Sequence, residues 1–189
     1  NKTNSSTIGV GLNQIKEVND NGLANRLINR FFNLKGKVLS NGMIIDYSSI
    51  HKDLEVMWLK GGLSSWKIKK NKNIYNRKYP LHKWSVFEDV EFSLSKSANH
   101  KLFVSHKAKA KIIERKKDLD FKNLFYRGNV YIVAQKKIVK KYFGNITFFF
   151  LSMPFLVFLS LIFSILTINI SKLIYNLGRI RGFFTFHFN

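Results

Sequence analysis

From Ile146 to Ile168 the chain reads ITFFFLSMPFLVFLSLIFSILTI, 23 residues without a charge. No other stretch restricts the fold so strongly. At 1.5 Å per residue, a helix of that length extends about 34 Å, enough to cross a hydrocarbon core of about 30 Å with some tilt. Core helices of water-soluble domains are rarely so long and so uniformly apolar. The sequence therefore predicts a membrane helix. Lys136, Lys137, Lys140 and Lys141 precede it, Tyr142 and Phe143 fall at the interface, and Lys172, Arg179 and Arg181 follow. The more basic N-terminal flank places the residues before 146 on the cytoplasmic side. Pro154 leaves two forms open, a single span or a hairpin returning to the same face.

Charge narrows the partners. The chain has 189 residues, with 32 Lys and Arg against 11 Asp and Glu, for a net charge of +21. Such an excess calls for anionic partners: nucleic acid, phospholipid headgroups or phosphorylated substrates. No nucleic-acid recognition module is visible, so nucleic acid is not expected as the partner. No acidic residue follows Asp120, in the part where apolar residues concentrate. With no cysteine, disulfides and thiolate metal sites are excluded. The histidines show no ligand spacing, and no Ser-His-Asp or Walker arrangement occurs. The first residue is Asn and no signal-like apolar run lies near it, which leads us to expect a piece of a longer protein lacking its N-terminal part.

Local patterns give mixed α/β structure. IGVGL (Ile8 to Leu12) is a weak phosphate-loop signal, since no glycine pattern follows. Leu23 to Phe32 has helical spacing with arginines on the other face. KGKVLSNGMIIDYSS reads as two short strands about an Asn-Gly turn, and Val56 to Leu59 as a further strand ending in Lys60-Gly61-Gly62. Lys67 to Lys83 is a basic loop. Lys101 to Val104 is a strand that the Lys-Ala alternation of Lys107 to Lys111 extends or follows with another. Asp118 or Asp120 caps a helix from near Phe121, with a possible break at Gly128.

The acidic residues Glu88, Asp89 and Glu91 cluster within KWSVFEDVEFSL (Lys83 to Leu94), hemmed by Trp84, Phe87 and Phe92. Ser85 and Glu88 fit a capping box, placing the acids in the first turns, where the helix dipole favours negative charge. Phe87, Val90, Leu94 and Ala98 form the apolar stripe of that helix. A helix start at the edge of a cleft is also where a catalytic carboxylate can be held rigidly. Both readings are open from the residues alone.

The order of motifs adds to this: VMWLKGGLSSWK (Val56 to Lys67), the basic loop, the Glu-Asp helix start, KLFVSHKAKAKI and FYRGNVYIVAQKK. It resembles the second half of inverting family-two glycosyltransferases of the GT-A fold, over roughly residues 8 to 140 and most specifically at Trp58 to Gly62 and Phe87 to Leu94. The resemblance implies Asp89 as the catalytic base with Glu88 as its partner, and Trp58, Gly61, Gly62 and Trp84 at the substrates. A carboxylate would take the proton of an acceptor hydroxyl as it attacks the anomeric carbon, opposite the departing nucleoside diphosphate. Glu88 and Glu91 would raise the basicity of Asp89. It also implies a divalent cation, Mg or Mn, whose ligands lie in the missing nucleotide-binding half. Asp118-Leu119-Asp120 has the letters of the family's metal motif but follows the Glu-Asp pair, so it reads as helix capping. Ser95 stands where the family often has Arg. Lys109 to Glu114 lacks the family's His, and His106 lies near it but out of register.

The expected organisation is an acceptor-side GT-A half over residues 1–120 and a basic juxtamembrane helix over 121–145. A transmembrane or hairpin segment over 146–170 and a basic tail over 171–189 complete it. The expected function is sugar transfer from a nucleotide-sugar to a glycan or lipid-linked acceptor at the cytoplasmic face of the cell membrane, beside anionic lipids. This piece alone is expected to be inactive. The rival expectation is a non-enzymatic basic membrane protein that binds anionic lipid or glycan through charge.

Overall fold

The computed structural model describes residues 7–15, 34–67, 87–111 and 120–185. The chain forms two compact units, one built on a sheet and one on helices. The predicted helix at 23–32 and the basic loop after Lys67 lie outside the described residues.

The first unit is mixed α/β. Its elements are β1 (Thr7–Ile15), β2 (Leu54–Val56), a 3-10 turn (Gly61–Leu63), β3 (Ser64–Trp66), α1 (Glu88–Ser97) and β4 (Lys101–Lys111). The four strands lie in the order β2-β4-β1-β3. β1 and β4 are parallel, with Val10 opposite Phe103, and β2 and β3 run antiparallel to their neighbours. Leu102 and Val104 of β4 and Tyr47 and Leu59 beneath the sheet are almost wholly buried. The glycines of IGVGL serve this packing rather than a phosphate. A Cβ on Gly9 would lie 2.9 Å from the Trp66 ring, and one on Gly11 2.8 Å from Leu59. Asn13, also buried, has its polar groups satisfied by one distant residue: its amide donates to the Ile50 carbonyl at 2.9 Å and accepts from the Ile50 N–H at 3.1 Å.

Several local expectations change here. The hairpin in KGKVLSNGMIIDYSS reduces to one bridge, Val38 with Ile44. The turn itself is present: Gly42 has φ +76° and the Asn41 side chain accepts from the Met43 N–H. Strand β2 comes earlier than the expected strand at Val56 to Leu59, because Trp58 and Leu59 turn inward. The expected capping box needs Glu88 at the third helical position, but α1 begins at Glu88 and Phe87, at φ +70°, is not helical; Ser85 lies outside the described residues. β4, by contrast, runs unbroken through the Lys-Ala alternation.

The second unit contains α2 (Phe121–Ile138), a π turn (Val139–Phe143), α3 (Ile146–Leu166) and α4 (Ile170–Phe184). Asp120 caps α2, its carboxylate accepting from the Lys122 N–H at 3.1 Å. Gly128 does not break α2. It lies where α2 meets α4, and a Cβ there would collide with the Tyr175 carbonyl, as one on Gly178 would with the Phe125 carbonyl. Small residues let the two backbones touch. Pro154 sits inside an unbroken α3, and the chain reverses only after Leu166. Phe149, Met153 and Val157 on one face of α3 pack with Ile132 and Val139. α3 is long and apolar enough to cross a membrane.

Candidate functional site

The start of α1 and the Gly-Gly turn, 28 residues apart in sequence, meet through one carboxylate. Asp89 Oδ2 accepts from the Gly61 N–H at 3.3 Å, and Oδ1 accepts from the Val90 N–H at 2.9 Å. A Cβ on Gly61 would lie 3.4 Å from the Asp89 Cβ. One turn further along α1, the buried Ser93 hydroxyl donates to the Asp89 carbonyl at 2.6 Å and accepts the Leu59 N–H at 3.0 Å. The helix start is thereby pinned to the segment that leads from β2 into the glycines.

Burial pushes the Asp89 carboxyl above the ordinary aspartate range. The N–H groups of Gly61 and Val90 oppose that shift, and the charge of Glu88 adds to it. Glu88 itself is exposed on the first turn, while Asp89 is half-buried. A carboxylate so placed has one face held by backbone N–H groups and a heightened affinity for a proton, the two properties a general base needs.

The turn is fixed from below by residues the sequence did not single out. Lys60, immediately before Gly61, places its ammonium 2.8 Å from Asp46 Oδ1, 2.5 Å from Gln14 Oε1 and 2.8 Å from Ser48 Oγ. It also lies over the Tyr47 ring at 4.9 Å. The Tyr47 hydroxyl accepts the Lys60 N–H at 2.7 Å, and burial pushes its ionisation well above the usual phenol range. Lys60 therefore saturates its donors within the fold and sets the direction in which the Gly61 N–H points. Nothing in the local sequence linked Lys60 to Tyr47, Ser48 and Gln14, since these pairings span 12 to 46 residues. A lysine directly before a Gly-Gly turn was the one available signal.

Glu88, Asp89, Gly61 and Gly62 come together at this turn. Gly62 faces open space, with nothing among the described residues within 4 Å of where its Cβ would be. Trp58 lies elsewhere: it is buried, its ring is 5.1 Å from Tyr47, and its indole N–H donates to the Ile45 carbonyl at 3.4 Å. It supports the turn from the core. Trp84 lies outside the described residues. The ring of Phe92 packs edge-on against Trp66 at 4.7 Å, so the aromatic neighbour on the α1 side is Trp66. His106 pairs with Asp53, 2.7 Å from its Nδ1, at the β2–β4 edge.

No group of three or more metal-ligating side chains occurs among the described residues. Of the Asp118-Leu119-Asp120 run, Asp120 caps α2 and the other two residues lie outside the described residues. No family model matches the chain, and neither the curated proteins nor the solved structures contain a match.

Proposed function

We propose that this chain is the acceptor-side half of an inverting GT-A glycosyltransferase attached to the membrane, with Asp89 as its general base. The observation that carries the reading is the meeting of Asp89 with the Gly61 N–H, which unites the two motifs of the resemblance at one turn. In this reading an acceptor hydroxyl lies against the free side of the Asp89 carboxylate. Its oxygen forms the bond to the anomeric carbon as its proton passes to Asp89, and the nucleoside diphosphate leaves from the opposite face. Glu88 sustains the proton affinity of Asp89 through its charge. Gly62 leaves room for a substrate to approach the backbone, and Trp84 would offer a stacking surface for a sugar ring.

The nucleotide-sugar, its sugar identity and any Mg or Mn ion belong to the donor half, and no step here passes through the cation. The acceptor is a glycan or lipid-linked sugar at the cytoplasmic membrane face, consistent with the apolar α3 and the cations around it. The experiment is to incubate membranes containing the full-length protein with a panel of nucleotide-sugars and to follow nucleoside diphosphate release and product configuration. Release with inversion at the anomeric carbon supports the proposal. Absence of turnover with every donor, together with tight binding to anionic lipid or glycan, would favour the non-enzymatic reading instead.

A further inference from the structure

α2 and α4 cross at their glycines, and the crossing gathers aromatic and cationic side chains from both helices. A Cβ on Gly128 would lie 3.0 Å from the Arg179 backbone nitrogen, so the two backbones are in close contact there. Tyr131 lies four residues after Arg127 on α2, and Arg179 four after Tyr175 on α4, so each pair shares a helix face. The Tyr131 and Tyr175 rings meet edge-on with centroids 6.1 Å apart, and the Arg179 guanidinium lies 5.6 Å from the Tyr131 centroid. All three side chains are half-buried. Arg179 stands within electrostatic range of both hydroxyls, and Arg127 within range of that of Tyr175.

One corner of Arg179 is fixed by the fold. Its Nη1 donates to Asn176 Oδ1 at 3.3 Å, and the buried Asn176 amide donates in turn to Ser160 Oγ at 3.0 Å and Ser164 Oγ at 3.1 Å. Its Nε is different: it is buried without a hydrogen-bond partner among the described residues. A buried donor on a charged group is costly to leave unsatisfied. The helices α2, α3 and α4 contain no Asp or Glu to satisfy it.

These donors define the ligand. With Nη1 given to Asn176, the fork available to an anion is Nε with Nη2, a pair that matches two oxygens of one phosphate or carboxylate. The two phenol hydroxyls beside it are further donors, and a phosphate has acceptor oxygens for them as well. Arg127 strengthens the positive field there whatever else it touches. Depth gives the source. Ser160 and Ser164 lie six and two residues before the end of α3 at Leu166, so Asn176 and the Arg179 guanidinium sit about 3 to 9 Å from the end of the apolar helix. For a helix seated in a bilayer that is close to the headgroup phosphates, the level at which arginine and tyrosine anchors gather.

We propose that Arg179, with Tyr131 and Tyr175, binds the phosphate group of a membrane phospholipid at the C-terminal end of α3. The Arg179 fork donates to two phosphate oxygens while the phenol hydroxyls donate beside it. The inference rests on the membrane part of the proposed function and requires nothing of Asp89, so it stands or falls separately from turnover.

The test uses the full-length protein in a phosphate-free detergent, titrated with dioctanoyl phosphatidic acid. Wild type should bind it saturably, whereas dioctanoylglycerol, with the same chains and no phosphate, should not bind. Arg179→Gln should weaken binding about tenfold or more, and the double variant Tyr131→Phe, Tyr175→Phe about threefold or more. Arg181→Gln, on the same helix but outside the cluster, should change it less than about twofold. Where Arg179→Gln does not fold, Arg179→Lys keeps the charge without the fork and should still lose about fivefold or more. Unchanged binding in the folded Arg179 variant, or an equal loss in Arg181→Gln, would overturn the proposal. No saturable binding by wild type, or equal binding of dioctanoylglycerol, would overturn it as well. Inorganic phosphate that displaced the lipid at equal concentration would overturn lipid as the source, leaving a site for soluble phosphate.

Discussion

Asp89 is held in place by its own backbone surroundings and made a stronger proton acceptor by burial, and both effects can be measured. Its folded-state pKa is raised, so between the unfolded and folded values the native state binds more protons than the unfolded state. Stability attributable to this group therefore falls as pH rises through that window, which opens near the ordinary aspartate value of about 4. Asp89→Asn removes the titration. The thermal stability of the Asn variant relative to wild type should shift in its favour as pH is raised from about 4 to 7. A pH-independent difference between the two melting curves would show that burial does not perturb the carboxyl. Gly62 gives a complementary test, because the fold places nothing described within 4 Å of its missing Cβ. Gly62→Ala should leave stability within about 0.5 kcal/mol, yet under the proposed function lower turnover of the full-length protein about tenfold or more if a substrate passes there. Unchanged turnover would mean that the space is only solvent.

Single elements differ in how legible they were. The helix after Asp120, the long apolar helix and the strand through Lys101 to Lys111 could be read from caps and periodicity, which are local signals. The sequence leaves a break at Gly128 open because the reason for the glycine is not local: it admits the backbone of α4, about fifty residues later in the chain. Pro154 leaves a continuous helix and a hairpin both open, and the helix runs on through it, since an apolar helix packed against neighbours tolerates one missing N–H. The SNG hairpin kept its turn but has a single bridge, Val38 with Ile44, in place of two strands, while Ile45 and Tyr47 go to the core. The α2–α4 crossing makes a direct prediction. Gly178→Ala should cost about 2 kcal/mol or more in unfolding measured in detergent, since the added methyl meets backbone and not a side chain that can move. Ala at exposed Asn145, outside this crossing, should cost no more than its lost cap, about 1 kcal/mol. Equal losses at the two positions would contradict the close approach.

For the whole molecule, the sequence already contained the two features on which the proposed function rests, an apolar segment within a strongly basic chain and a cluster of acids in an acid-poor one. It did not contain the support of the site. Lys60, Asp46, Tyr47 and Gln14 are drawn together only by the fold, and Trp58, expected at the substrates, belongs with them in the core. The net charge of +21 fits both an enzyme working beside anionic lipids and a binder that simply adheres to them, so charge does not separate the two. Removing the negative charge of Asp89 does, because an electrostatic binder tolerates or gains from that loss whereas a base-catalysed transferase depends on the carboxylate. The decisive measurement is nucleotide-sugar turnover by the full-length membrane-bound protein, wild type against Asp89→Asn, with both confirmed to be folded. The account predicts a loss of about a hundredfold or more in the variant; equal turnover by the two proteins would contradict it and leave Asp89 as a helix-start residue alone.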